Sequence, residues 1–236
     1  MKLEVLFPEV CNLSGESTNV RYLLQSCPAL EAVETELGSR PQFLDREIAL
    51  VYLGTATERG LQLLVESLVP YREELLQRLD AGQWMLATGN ALDALGKHVE
   101  SDEGLRFDGL GILDIHAEYH MMRRHNSFFL GKFGEMDIVG FQSLFGHSFG
   151  GDEEEPLFRV TRGVGRREGC PVEGFRKKNL LATYLTGPLL VLNPPFTKWL
   201  LRSIGAPDAL AFEEAAMDSY RKRVAEFSQE DRSFMY

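Results

Sequence analysis

Residues 48–54 read IALVYLG and residues 84–90 read WMLATGN. Each is a short apolar run closed by a glycine-bearing turn. Neither alternates with polar residues, which is the pattern of a strand buried on both faces. Between them lies a helical stretch. Thr55 or Thr57 can cap it, and Leu61, Leu64, Val65 and Leu68 recur at helical spacing. After Pro70 the helical pattern continues from Tyr71 to Ala81. Strand, helix and strand in this order make a βαβ unit, and such units place their strands parallel in one sheet.

Reading outward from that unit extends the alternation. Leu3–Phe7 is a strand ended by Pro8, and Asn12–Asn19 is rich in turn and cap residues. Val20, Leu23 and Leu24 follow at helical spacing, and Ala32–Leu37 reads as a second strand. Downstream, Thr88-Gly89-Asn90 is a tight turn and Ala91–Gly96 is helical. Beyond Gly96 the rhythm changes. Ile112–Ile115, Ser127–Leu130, Asp137–Phe141 and Phe158–Thr161 read as short strands, as an antiparallel element added to the parallel sheet would show. Leu180–Leu185 is one more strand, and Thr197–Ile204 and Ala209–Phe227 are closing helices. The expected fold is α/β: a mostly parallel sheet flanked by helices, with added antiparallel strands. One domain is expected over residues 1–236, with a loose tail at about 228–236.

Composition narrows the function. In 236 residues the net charge is −10, which argues against nucleic acid or anionic membrane as a general partner. There is no apolar run long enough to span a bilayer and no signal-peptide core at the start, so a cytoplasmic protein is expected. The three cysteines, Cys11, Cys27 and Cys170, form no CxxC pair. His116, His120 and His125 with Glu118 fit no strong metal signature, and neither a metal nor another cofactor is expected. Asp152–Glu155 reads as a solvated acidic loop. Arg159, Arg162, Arg166, Arg167, Arg176, Lys177 and Lys178 read as an exposed basic hairpin or a docking face for an acidic partner.

Several segments, in one order, carry a resemblance. They are NLSGESTN (12–19), Tyr52-Leu53-Gly54 with Glu58-Arg59, GLGILD (109–114), Gly163-Val164-Gly165, Glu173-Gly174, Asn179, and ATYLTGPL (182–189). From about Leu3 to about Leu201 the chain resembles the cobyric acid synthase-like (CobB/CobQ-type) class I glutamine amidotransferases. Within them it is most similar to the amidotransferase subunits of lipid II isoglutaminyl synthase. The resemblance implies a flavodoxin-like sheet between helices and a chemistry of side-chain amide hydrolysis. That chemistry needs a thiolate at a sharp strand-to-helix turn, a histidine beside it and backbone N–H groups for the oxyanion.

Neither the thiol nor the imidazole is where the resemblance puts it. The turn falls at Thr88-Gly89-Asn90, so the nucleophile's place goes to Gly89 or, one residue earlier, to Thr88. The histidine of the family's YLHGP motif is Thr186 here. His147 lies near another polar segment of the family, but that segment reads Phe141-Gln142-Ser143-Leu144. The resemblance leaves Gly54, Asn90 and Arg123 as positions that would hold a ligand, with Arg123 suited to clamp a carboxylate. Three functions follow as expectations. The first is a catalytically degenerate subunit that partners a Mur-ligase-like protein in cell-wall precursor metabolism, as scaffold or regulator. The second is an amidotransferase subunit with an atypical nucleophile. The third is a module that binds glutamine or another small carboxylate.

Overall fold

In the computed structural model, residues 1–230 and Ser233 are described. Their centre is a six-stranded sheet in the order β13-β14-β4-β3-β1-β2. Its parallel strands are β1 (Lys2–Leu6), β2 (Glu31–Thr35), β3 (Leu50–Leu53), β4 (Met85–Thr88) and β14 (Leu180–Thr183). The edge strand β13 (Phe175–Lys177) is antiparallel to β14. Successive residues of the central strands feed opposite faces, as the pleat requires. Val51, Leu53, Met85 and Ala87 enter one core with Leu61, Leu64 and Leu75, from α2 (Glu58–Leu68) and α3 (Arg72–Asp80). Leu50, Tyr52 and Leu86 enter the other, against α1 (Ser17–Ser26), α5 (Leu189–Leu192) and α6 (Pro194–Ser203). Thr57, not Thr55, caps α2, accepting from Gly60 N at 3.1 Å.

Two further sheets follow the short helix α4 (Ala91–Ala94). One has the order β10-β7-β5-β6, from β5 (His98–Ser101), β6 (Arg106–Asp108), β7 (Ile115–Tyr119) and β10 (Gly146–Gly150). The other has the order β12-β11-β8-β9, from β8 (His125–Phe133), β9 (Met136–Leu144), β11 (Phe158–Gly163) and β12 (Val172–Glu173). The helix α7 (Glu213–Phe227) packs on β8 and β9.

Three sequence expectations need correction. The strands expected on the parallel sheet form two sheets of their own, one of which pairs β5 with β7 in parallel, and β13 is the antiparallel strand of the first sheet. A strand over Ile112–Ile115 is not formed. Residues 110–113 instead turn back on α4: Leu110 N donates to Ala94 O, Gly111 N to Gly96 O, and Ile112 N and Leu113 N to Leu95 O. These are the carbonyls a helix end leaves without partners, so the GLGILD segment caps α4 before β7 begins. The basic stretch is open only in part, with Arg159, Lys177 and Lys178 exposed. Arg166 is buried, stacked 3.6 Å from the Phe175 ring centroid, and donates to Gly174 O and Gly151 O. Lys177 donates to Ile112 O, and Lys178 pairs with Asp80. Arg162 donates to the carbonyls of Phe227, Gln229 and Glu230. Gln229 and Glu230 belong to the tail expected at about 228–236, of which residues 231, 232 and 234–236 lie outside the described residues.

Glu4 is the polar exception in β1. It is fully buried, and its carboxylate accepts from Thr35 Oγ1, Gln42 N and Phe43 N, each at 2.6 Å. One side chain thus joins β1 to β2 and to the loop before β3. Removing it leaves three donors without an acceptor. Glu4→Leu is expected to lower the free energy of unfolding by about 2–4 kcal/mol, read from the midpoint of urea denaturation. A change within about 0.5 kcal/mol would show that this carboxylate does not hold the loop.

Candidate active-site elbow

The parallel strands end level with one another. Thr183 of β14 pairs with Thr88 of β4, and Leu53 of β3 pairs with Ala87. Ligands of open α/β sheets bind beyond such carboxyl ends, so the groups found there decide the chemistry.

The sharp strand-to-helix turn is made at Gly89, whose φ of +62° lies in the left-handed region. A nucleophile elbow uses this kind of turn to lift a side chain above the sheet. Here no side chain is lifted, and the space is taken. A Cβ placed on Gly89 would lie 2.0 Å from Thr55 Oγ1 and 3.0 Å from Thr55 Cβ. Thr55, the second residue after β3, fills the volume into which a nucleophile at Gly89 would project. Thr88 points elsewhere. Its hydroxyl is buried, 2.8 Å from Tyr52 Oη, which in turn accepts from Asn19 Nδ2 at 2.9 Å.

Two backbone donors beside the elbow are also in use. Thr55 N donates to Glu16 Oε1 at 3.3 Å, and Ala56 N donates to Asn90 Oδ1 at 3.0 Å. Asn90 completes a two-bond clip by donating from Nδ2 to Ala56 O at 2.8 Å. Its amide is consumed in fastening α4 to the β3 exit. Gly54 is explained by close approach: a Cβ there would lie 2.2 Å from Cys11 O. The 12–19 segment therefore sits directly on the end of β3, with Leu13 N donating to Thr55 O at 3.0 Å.

Thr186 is nearly buried and is bonded to a strand of the second layer. Its N and Oγ1 both donate to Phe141 O, at 2.8 and 3.1 Å. Arg123 is exposed on the turn before β8, while its neighbour Arg124 lines the small cavity above the elbow and lies over the Phe145 ring. That cavity, bordered also by Ser14, Thr55, Asn90, Asp93 and Tyr119, measures about 40 Å³. It is room for one or two waters, whereas pockets that bind organic ligands run to roughly 300 Å³ or more.

Two buried acids behind the elbow are not evident from the motif. Asp93 accepts from Tyr119 Oη at 2.6 Å and from Tyr184 Oη at 2.5 Å. Burial nevertheless pushes its carboxyl up to about 7, with the two tyrosine bonds working against that rise. Glu173 accepts from Thr183 Oγ1 at 2.7 Å and Tyr184 N at 2.8 Å, and burial raises it to about 7 as well. One sequence signal for Asp93 exists: a carboxylate inside an otherwise apolar turn, Ala91-Leu92-Asp93-Ala94-Leu95, four residues after the elbow glycine.

The cysteines and histidines do not converge. Cys11 and Cys27 are buried, and burial together with Glu9 and Glu16 pushes the Cys11 thiol up to about 12, far from a reactive thiolate. His147 packs edge-on to His125 at 5.3 Å between ring centroids, and burial lowers both. His116 stacks on His98 and meets Glu118 at 3.2 Å, and His120 meets Asp102. Among the described residues no three His, Cys, Asp or Glu side chains gather in a metal-binding group.

Comparison with known proteins places this geometry. A profile of the CobB/CobQ-like glutamine amidotransferase domain matches residues 20–193. The GatD subunit of lipid II isoglutaminyl synthase (glutamine-hydrolyzing) from Staphylococcus aureus is 30% identical over 176 residues, 73% of this chain and 70% of that protein. The Streptococcus pneumoniae subunit of the same name is 23% identical over 197 residues, 80% of this chain and 74% of that one. Among solved structures, a glutamine amidotransferase superposes with a TM-score of 0.59 at 16% identity, covering 86% of this chain and 99% of its own. Another, from Thermotoga maritima, gives 0.51 at 12% identity, covering 96% and 98%. At these identities the two structures speak for the fold.

Two measurements test the geometry. Gly89→Cys should lower stability by about 2–4 kcal/mol, from left-handed strain and the clash with Thr55. Adding Thr55→Gly should recover at least about 1 kcal/mol of that loss by freeing the space. A Gly89→Cys protein as stable as the parent in urea denaturation would mean that Thr55 does not block the position. The second concerns pH. Asp93 and Glu173 titrate near 7 when folded, against 3.8 and 4.5 when unperturbed. Between those values the folded state holds more protons than the unfolded one. Their contribution is thus full at low pH and is lost as pH rises to about 7. Asp93→Asn and Glu173→Gln should each flatten the fall in thermal stability over that window. An unchanged slope in both would place the two carboxyls outside the linkage.

Proposed function

The chain belongs to the CobB/CobQ-like glutamine amidotransferase family, and we propose that it is a catalytically degenerate member of it. In this reading it keeps the amidotransferase fold as a subunit but does not hydrolyse glutamine. It acts as a scaffold or regulator of a Mur-ligase-like partner in cell-wall precursor metabolism.

The observation that carries the proposal is the occupied elbow. Amide hydrolysis needs a nucleophile projecting from the turn, a base within hydrogen-bond reach of it and N–H donors free to meet an oxyanion. Gly89 projects nothing, and Thr55 fills the space above it. Thr186 is bound to Phe141 O, and the N–H groups of Thr55 and Ala56 are spent on Glu16 and Asn90. A hydroxyl substitute is no better placed, because Thr88 Oγ1 faces Tyr52 and not a base. The cell-wall setting and the subunit role rest on the two GatD relatives, whose names describe a subunit of lipid II isoglutaminyl synthase. The Mur-ligase-like identity of the partner rests on family analogy.

Two experiments follow. The purified protein, alone and mixed with a Mur-ligase-like protein from the same cells, should release no glutamate from glutamine above the buffer rate. Turnover that is abolished by Thr88→Ala would replace this reading with an atypical nucleophile. In a pull-down from its own cells, the protein should recover a Mur-ligase-like chain in constant ratio. Recovery of none would remove the partner assignment while leaving the catalytic one intact.

A further inference from the structure

A largely apolar recess of binding size lies away from the elbow and shares no lining residue with the cavity above it. It is a groove of about 480 Å³ between α1 and α7, floored by Val191 and Leu192 of α5. That volume falls within the range of small-molecule pockets. Ala216 on the α7 wall keeps it open, because a residue without a long side chain leaves the space between the two helices unfilled. Phe212 stands at one end, 75% exposed and in the left-handed conformation, with φ +53°.

Three polar groups converge on this apolar bed. Tyr22 is 5% exposed, and its hydroxyl is buried with no hydrogen-bond partner. A buried hydroxyl left unsatisfied in a groove wall calls for a partner that is not part of the chain. Arg21, on α1, and Arg223, on α7, line the groove from opposite sides, and neither takes part in an ion pair among the described residues. Glu213, the acidic group whose charge reaches Tyr22, is already paired with Lys198. The groove therefore offers two uncompensated cations and an orphaned hydroxyl above an apolar floor.

We propose that this groove binds a small amphipathic anion, with a carboxylate or phosphate head held between Arg21 and Arg223 beside the Tyr22 hydroxyl. The apolar body of the ligand lies on Val191, Leu192 and Phe212. Guanidinium groups favour such heads because they offer paired donors to planar or tetrahedral oxyanions.

The test uses octanoate, octyl phosphate and octan-1-ol as probes on the full chain, by titration calorimetry and thermal shift. At least one of the two anions should bind saturably at one site per chain and raise the melting temperature, since a ligand of the folded state alone must stabilise it. The alcohol should bind at least about tenfold more weakly, as expected when a charge-assisted contact is lost. The head that binds tighter identifies the source as carboxylate or phosphate. Arg21→Gln with Arg223→Gln should weaken the anion about tenfold or more, and Ala216→Trp should abolish binding by filling the groove. A circular dichroism melt of each unliganded variant separates loss of the site from loss of the fold. Equal binding of anion and alcohol, undiminished binding in the arginine double variant, or absence of saturable binding by both anions would each overturn the proposal. A negative result here leaves the elbow reading untouched, because Gly89, Thr55 and Thr186 take no part in the groove.

Discussion

The fold depends on burying β3 and β4 on both faces. A strand covered by helices above and below has no surface left for chemistry except its ends. Val51 and Leu53 go to one core, and Leu50 and Tyr52 to the other. The same division runs through β4, where Met85 and Ala87 oppose Leu86. This consumes the apolar run completely and places every polar residue that follows, from Gly54 and Thr55 to Thr88, Gly89 and Asn90, at one rim. Parallel pairing with β14 brings Thr183 and the Thr186 turn to the same rim.

At that rim the polar groups serve the structure of the chain. Several of the polar side chains and N–H groups there are bonded within the protein. Glu16 and Asn90 hold the β3 exit, Thr88 joins Tyr52 and Asn19, and Thr186 joins the strand layer behind it. A half-satisfied polar cluster in a low-dielectric setting is costly, so the groups at the rim are stabilised by pairing with one another. Thr55 is the exception, with a buried hydroxyl that has no partner. Its side chain fills space at the elbow, which is a steric role and does not require a hydrogen bond.

The buried acids form a second layer beneath this rim. Asp93 with Tyr119 and Tyr184, and Glu173 with Thr183 and the Tyr184 backbone, tie α4, β7, β12 and β14 together. Tyr184 belongs to both groups, so the ATYLTGPL segment is anchored by two carboxylates from different elements. Both acids are raised toward neutrality by burial. The bonds that tie the layers together favour the ionised form and oppose that rise.

By itself the sequence determined the class of fold, the succession of helices between the parallel strands and which residues stand at the two motif positions, Gly89 or Thr88 in one and Thr186 in the other. Apolar runs, helical spacing and the glycine turns are local signals, and residue identity at a motif position needs no coordinates. The tertiary structure alone decided the rest. It separated the antiparallel strands into two sheets, because strand pairing is non-local and short runs such as His98–Ser101 have no strong local pattern. It set Gly89 rather than Thr88 at the turn, since only a backbone dihedral distinguishes them. It put Arg124 on the cavity and left Arg123 in solvent. It also revealed Thr55 in the space above Gly89 and Arg21 and Arg223 lining one groove. These pairs are far apart along the chain, and only the packing of the folded layers brings them within reach of each other.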